Sequence, residues 1–181
     1  MSEPESDPAP IGASALFRAH GAFVVAFVQR MGVDRAELED LVQDVFLIAH
    51  KKGGFAPGTA KPTSWLATIA MGEIRNRRRK ASRRAGVVSP GEAEREAVAH
   101  SGDPFESLDR EQRARLVQAA LDRLPEDKRS LFILFELEGE TCPALAELFE
   151  VPVGTIYSRL HAARKAFEQA VRELRQGDGQ A

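Results

Sequence analysis

The chain has 181 residues, of which 43% are apolar and 29% are charged, and its net charge at neutral pH is −2. This balance is that of a globular protein rather than a disordered one. No apolar run approaches the roughly 20 residues that span a bilayer, and the acidic, Pro-rich start lacks the features of a signal peptide. The single cysteine, Cys142, excludes an intramolecular disulfide framework and a Cys-based zinc site. We therefore expect a cytoplasmic protein without membrane insertion.

The charge is unevenly distributed along the chain. Residues 1–90 carry 13 Lys or Arg against 9 Asp or Glu, whereas residues 91–181 carry 12 against 18. The segment 71–84 alone holds seven basic residues and one acidic residue. A local basic segment in an acidic chain is a sharper indication of nucleic-acid contact than the overall pI. The alternatives are a solvated cluster of charges and a surface for RNA or a membrane.

In the first half of the chain, apolar residues recur with the period of an α-helix. The pattern predicts one amphipathic helix over residues 16–31 and a second over residues 34–49. Residues 55–62 are rich in Gly and Pro and are predicted to form a loop. A third helix is expected to begin near Thr63 or Ser64, and its C-terminal half is the basic segment.

In the second half, residues 87–111 are predicted to form a linker because they are rich in charge and turn residues. Apolar helical stripes resume beyond it, and we find no strand pattern and no internal repeat. The fold class is therefore predicted to be all-α. A short helix, a tight turn and a longer helix over residues 141–165 form a candidate helix-turn-helix.

The outer face of the second helix in this candidate is polar. If Ile156, Leu160 and Ala163 face the core, hydroxyl, imidazole and guanidinium groups lie on the outer side and can reach base edges or phosphates in a major groove. The alternative is an ordinary helical hairpin with a solvated face.

Trp65, in the third predicted helix, has two interpretations. An indole beside basic residues can stack on an unpaired base, but tryptophan is also a common core residue.

Four sequence segments carry a family resemblance. They are EDLVQDVFLIAH at 39–50, SWLATIA at 64–70, LPEDKR at 124–129 and VPVGTIYSRLHAARKA at 151–166. In this order they resemble the sigma factors of bacterial RNA polymerase, in the extracytoplasmic-function (ECF) group of the sigma-70 family. The resemblance covers roughly residues 14–175.

The resemblance implies two small helical domains joined by a flexible linker. Residues 12–86 would form sigma region 2, residues 87–111 the linker, and residues 112–175 region 4 with the helix-turn-helix. The implied activity is to bind core RNA polymerase, direct it to promoter DNA and help open the duplex. An anti-sigma factor is the implied regulatory partner.

The resemblance also assigns residues to three surfaces. The surface that binds core polymerase would contain Asp40, Leu41, Gln43, Asp44 and Phe46. The surface for the promoter −10 element would contain Lys61, Trp65, Arg75, Asn76, Arg79 and Arg83. The helix for the −35 element would present Thr155, Tyr157, Ser158, Arg159, His161, Ala162 and Arg164. Leu41 and Phe46 can equally be core residues, and the two aspartates can be merely solvated.

Some positions depart from the family pattern. Gly72 stands where Asn is common, which removes a possible base contact and costs the helix roughly 1 kcal/mol. Tyr157 stands where Lys or Arg is frequent, and Ala162 where Arg is frequent. Pro152 replaces a frequent Ser cap, and a Pro at the start of a helix is a workable substitute. The resemblance therefore leaves open which residues of this helix contact the −35 element.

Nothing in the sequence indicates catalysis. The four histidines are 30 or more residues apart and have no metal-ligand spacing, and no Gly-rich phosphate loop or nucleophile motif is present. We expect no enzyme activity, no cofactor and no metal. Two rivals to a sigma factor stay open: a one-component helix-turn-helix regulator that binds duplex DNA without polymerase, and a helical interaction protein that uses its apolar helix faces.

Overall fold

The computed structural model describes residues 9–58, 60–85 and 104–178. These residues form seven α-helices: α1 (Ala13–Arg30), α2 (Arg35–Lys51), α3 (Pro62–Ala85), α4 (Pro104–Asp122), α5 (Glu126–Phe132), α6 (Cys142–Leu148) and α7 (Val153–Asp178). Over the described ranges there is no β-sheet, which confirms the predicted all-α class. None of these helices combines the length and the apolar composition needed to cross a bilayer.

Helices α1, α2 and α3 pack against one another and form the N-terminal half. Each contributes one apolar stripe, because residues three and four positions apart lie on the same helix face. Phe27 of α1, Leu41 of α2, and Leu66 and Ile74 of α3 are almost completely buried where the three stripes meet. This core fixes the direction of α3, whose C-terminal half carries the basic segment.

The loop before α3 is hydrogen-bonded to Ile11, which lies just before α1. The amide and carbonyl groups of Ile11 and Phe55 exchange two hydrogen bonds of 2.8 and 2.9 Å. Gly54 permits this approach, since its φ is +93° and a Cβ atom there would lie 2.4 Å from the carbonyl oxygen of Ile11. Phe55 is thereby held in the core beside Trp65, with ring centroids 5.7 Å apart.

Helices α4 to α7 form the C-terminal half, in which α7 packs on α4, α5 and α6. The rings of Phe132 and Phe167 stack with centroids 4.5 Å apart. Thr141 caps α6, because its hydroxyl accepts a hydrogen bond of 3.3 Å from the amide of Ala144. A π-helical segment, Ile133–Leu137, follows α5 directly and was not expected from the sequence.

Only the C-terminal end of the predicted linker lies within the residues that the structure describes. Residues 87–103 of that linker lie outside the described residues, while residues 104–111 belong to α4. The sequence did not indicate this helical start, although Pro104 is a typical residue for the first position of a helix.

The two halves pack against each other, α3 on α6 and α1 on α4. Their buried residues form one continuous apolar cluster. The outer face of α2, the start of α3 and the helix-turn-helix therefore have defined positions relative to one another.

Candidate nucleic-acid and polymerase interface

The outer face of α2 is acidic, with one large apolar residue. Asp40 and Gln43 are exposed, and Leu47, one turn beyond Gln43, is 50% exposed. Asp44 lies between them, with its carboxylate 2.6 Å from the guanidinium of Arg77 on α3. Leu47 was not among the predicted docking residues, although its position on the same face as Asp40 and Gln43 follows from the helical period.

The structure places Leu41 and Phe46 in the core, which is the alternative to a docking position that the sequence left open. Leu41 is fully buried and Phe46 is 8% exposed. Both lie on the side of α2 that packs against α1, where the ring of Phe46 makes an edge contact with Phe17 at a centroid distance of 5.0 Å. Both side chains therefore contribute to the packing of α2 on α1, and the exposed face of α2 is the polar one.

Replacing Leu41 tests this core assignment. We expect Leu41→Ala to lower the free energy of unfolding by about 2–5 kcal/mol, because it removes a fully buried side chain and leaves a cavity. Leu47→Ala is the matched control and is expected to change stability by less than about 1 kcal/mol, since Leu47 is half exposed. Urea unfolding measures both, and equal stability of the two variants would contradict the core assignment.

The residues predicted for the −10 element lie along α3 and the residue before it. Trp65 is half-buried against Phe55, consistent with a core position for much of the indole. Asn76 is half-buried, while Arg79 and Arg83 are exposed. Trp65, Asn76, Arg79 and Arg83 thus all lie on α3.

Lys61 and Arg75, from the same predicted set, contact the C-terminal half. The ammonium group of Lys61 donates to the carbonyl oxygens of Glu138 and Gly139 at 2.9 and 2.7 Å. The guanidinium of Arg75 pairs with Glu126 of α5 at 2.9 Å. These two backbone carbonyls and the carboxylate of Glu126 were not predicted as partners, because nothing in their local sequence pattern indicates a long-range contact.

Glu140 is the most buried carboxylate that contacts this region, with 4% of its surface exposed. It accepts hydrogen bonds from the hydroxyl of Ser64, the amide of Lys61 at 3.1 Å and the amide of Thr141 at 3.0 Å. Burial by itself raises the pKa of Glu140, but these hydrogen bonds and the charge of Lys61 outweigh it and hold the pKa below its ordinary value of 4.5.

The lowered pKa of Glu140 predicts a pH dependence of stability. A carboxylate with a depressed pKa stabilises the folded state above its ordinary pKa of 4.5, and this contribution is lost as the pH falls through the lower folded-state value. We expect Glu140→Gln to cost about 1–3 kcal/mol at pH 7, and the difference from the parent to shrink below pH 4.5. Denaturant titrations of both proteins between pH 3 and pH 7 measure this difference. A difference that is constant over the range would show that the charge of Glu140 contributes nothing.

The helix-turn-helix prediction is supported by the geometry of α6 and α7. A short turn joins the two helices, and within it Glu150 adopts a positive φ of 53°. Ile156 and Leu160 are buried at 1% and 3% exposure, as the predicted orientation of α7 requires. The predicted outer residues divide by exposure: Tyr157, Ser158, Arg159 and His161 are exposed, whereas Thr155 and Ala162 are half-buried.

The side chain of Arg164, another predicted −35 residue, contacts the π-helical segment. Its guanidinium pairs with Glu136 and lies 5.2 Å from the centroid of the Phe135 ring. A cation held between a carboxylate and an aromatic face stabilises the packing of α7 on the π-helical segment. Any contact of Arg164 with DNA would have to replace these interactions.

Fold and candidate site together define an all-α protein with a helix-turn-helix and a second helical unit that carries a basic helix. Family models for sigma-70 region 2 and sigma-70 region 4 match residues 16–84 and 114–167. The chain is 30% identical to the ECF RNA polymerase sigma factor SigL of Mycobacterium tuberculosis, across 88% of this chain and 89% of that protein. It therefore belongs to the sigma-70 family of RNA polymerase sigma factors, in the ECF group, as the sequence resemblance implied. Proteins of this family bind core RNA polymerase and direct it to promoters.

Two further similarities support this assignment. The ECF RNA polymerase sigma-E factor of Escherichia coli K12 is 29% identical, across 83% of this chain and 82% of that protein. The sigma factor RpoE of Bartonella quintana, solved in complex with the anti-sigma factor NepR, has a TM-score of 0.65 and 27% identity, and covers 88% of this chain and 95% of its own.

Proposed function

We propose that each of the three candidate surfaces makes a different contact during transcription initiation. The outer face of α2 docks on core polymerase, α3 and the loop before it engage the −10 element, and the exposed face of α7 reads the −35 element. The observation that carries this proposal is the exposed acidic face of α2, packed in the same half as a strongly basic helix. A regulator that acts on duplex DNA alone has no use for such a docking helix.

The domain division that we propose is region 2 over residues 12–86 and region 4 over residues 112–175. The extent of α4, Pro104–Asp122, supports a region 4 that begins within this helix. A helix-turn-helix in one region and a basic helix in the other allow the protein to contact two separate promoter elements.

At the −10 element, duplex opening requires a base to leave the stack. This costs a few kcal/mol, which a shaped pocket with aromatic and cationic groups offsets. Trp65, Asn76 and the exposed Arg79 are placed along one helix to supply such groups. At the −35 element, the exposed Arg159 supplies donors for base edges or phosphates. The Ser158 hydroxyl donates to the Thr155 carbonyl at 3.0 Å, and its oxygen can accept from a base amino group.

We further propose that an anti-sigma factor controls this protein, that it acts in the cytoplasm, and that it has no catalytic activity of its own. The solved complex of Bartonella quintana RpoE with NepR supports the first of these, because that protein shares the fold over most of both chains. Purification from the native host under non-inducing conditions tests it. A small protein bound at one-to-one stoichiometry is expected, and full activity in cells without any partner would contradict it.

Run-off transcription with core polymerase tests the function as a whole. We expect transcripts from a subset of genomic promoter fragments only when both core polymerase and this protein are present. The free protein is expected to bind duplex promoter weakly, because its net charge is −2. Tight, sequence-specific binding of duplex DNA by the free protein, without transcription, would favour the one-component regulator.

A further inference from the structure

The helix α7 is bound to the π-helical segment by an ion pair close to the helix-turn-helix. The guanidinium of Arg164 donates through its Nε atom to the carboxylate of Glu136 and lies 5.2 Å from the centroid of the Phe135 ring. Glu136 and Phe135 are neighbours in sequence, so the segment presents an anion and an aromatic face to one cation. Two contacts from different directions define the position of Arg164 more closely than a single surface ion pair does.

The backbone of the π-helical segment is unusual where it presents these two groups. The amide of Glu138 donates to the carbonyl of Ile133 at 3.2 Å, which is a bond across five residues instead of the usual four. Ile133 and Leu134 are fully buried, whereas 30% of the Glu136 side chain is exposed. Such turns are rare and often occur at functional sites. The segment therefore combines a buried base with a partly exposed carboxylate that contacts α7.

A pair of stacked aromatic rings lies on the same face of α7. Phe167, three residues after Arg164, stacks on Phe132 with ring centroids 4.5 Å apart. Stacked rings keep two helices at a set distance, but a ring contact tolerates small sliding and rotation. A hydrogen-bonded ion pair is directional and tolerates less of both. The aromatic contact and the ion pair together restrict the rotation of α7 about its own axis.

The rotation of α7 determines what this helix presents to DNA. Arg159, five residues before Arg164, lies about 7.5 Å from it along the helix axis, and Tyr157 is two turns before Arg164 on the same face. Both are exposed. A rotation of about 10° moves a side chain at a radius of about 6 Å by roughly 1 Å. Such a shift disrupts a bidentate contact with a base edge, because hydrogen bonds weaken steeply away from their preferred geometry.

We infer that Glu136 is a positioning residue for −35 recognition, which holds Arg164 and thereby restricts the rotation of the helix that carries Arg159. This inference rests on the proposed reading of the −35 element by α7. Arg164 then acts within region 4 instead of contacting DNA. With 47% of the Arg164 side chain exposed, the ion pair adds little to folding stability. Its effect is on promoter selectivity.

The test compares holoenzymes that contain the parent, E136Q, R164Q or the double variant E136Q/R164Q. The matched control is E173Q, which removes the charge from another ion pair of α7, that of Glu173 with Arg123 at 2.9 Å. Glu173 is about 21 Å from Arg159 along the helix axis. Transcription from a library with a randomised −35 element gives the sequence preference, and competition binding gives the affinity for one selected promoter. Thermal unfolding and binding to core polymerase verify that every variant is folded and active in assembly.

We expect E136Q and R164Q each to lower the −35 preference by about fivefold, which is part of the discrimination that an arginine–guanine contact supplies. The double variant should lower it no further, because the pair is broken equally from either side. The conservative variant R164K keeps a cation beside the carboxylate and the ring, and should retain most of the preference. The control E173Q should select the same sequences as the parent.

Another role for Arg164 gives a different result. If Arg164 contacts DNA and Glu136 only competes for it, E136Q binds the promoter more tightly and R164Q binds it less tightly. Opposite signs of this kind overturn the inference. Additive effects in the double variant overturn it as well, and so do single variants that select the same −35 sequences as the parent.

Failure of this inference is distinguishable from failure of the proposed function. If E136Q and R164Q behave as the parent while Arg159→Ala changes the selected −35 sequence, α7 reads the promoter and the positioning role of Glu136 is wrong. If the parent holoenzyme shows no −35 preference, the proposed function of α7 fails and the inference fails with it.

Discussion

Reversing the charge of Asp40 is expected to weaken binding to core polymerase by about tenfold or more. Asp40 is exposed on the outer face of α2, beside Gln43 and the half-exposed Leu47. If this face docks on a basic surface of polymerase, Asp40→Arg places like charges opposite each other, which costs several kcal/mol across an interface. Run-off transcription should fall in parallel, while thermal unfolding should be almost unchanged because the side chain is solvated. Affinity is measured by competition for core polymerase.

Asp44 is a poorer position for this test. Its carboxylate pairs with Arg77, so Asp44→Arg would place two cations together and disturb the packing of α2 on α3 as well as any docking. A matched control is Glu168→Arg, which makes the same charge reversal at an exposed position of α7. If Asp40→Arg and Glu168→Arg bind core polymerase as tightly as the parent, the outer face of α2 is not the docking surface.

The helices could be predicted from the sequence because each of them buries one apolar stripe. Ile156 and Leu160 illustrate this, since their spacing alone orients α7 and determines which residues face outwards. Leu41 and Phe46 show that the sequence alone does not determine which residues of a helix are buried and which are exposed. They lie within a segment that resembles a polymerase-binding motif, and a motif does not separate residues that contact a partner from residues that support them. Only the packing of α1 and α3 shows which side of α2 is covered.

The contacts between the two halves could not be predicted. Glu126, Glu138 and Glu140 are acidic residues in an acidic half, and their local pattern is that of a solvated surface. Their partners in the N-terminal half are more than 45 positions away in sequence, as in the bond from Ser64 to Glu140. Long-range ion pairs depend on how helices are arranged in space, and neither periodicity nor composition carries that information.

The −35 sequence that the holoenzyme prefers is expected to change when Arg159 is replaced. Arg159 is exposed near the start of α7, where the recognition helix of a helix-turn-helix contacts base edges. A bidentate contact between arginine and guanine contributes about 1–3 kcal/mol of discrimination, so Arg159→Ala should lower the preference at one position by roughly 5- to 150-fold. If Arg159 instead contacts only phosphate, the variant weakens all promoters about equally. Transcription from a promoter library with a randomised −35 element separates these outcomes, and Arg172→Ala, near the far end of α7, is the matched control.

Tyr157 and Ala162, on the outer side of α7, differ from the residues that are frequent in the family. Variants at these two positions extend the same experiment. Tyr157 is 57% exposed, so Tyr157→Lys introduces a cation at the surface without disturbing the core. Ala162 is half-buried, and Ala162→Arg adds a long side chain whose guanidinium can reach the surface. We expect both variants to shift the selected −35 sequences more than they change total transcription, because each changes the groups presented to the groove and leaves α2 untouched. If Arg159→Ala, Tyr157→Lys and Ala162→Arg all select the same sequences as the parent, the outer face of α7 does not read the promoter.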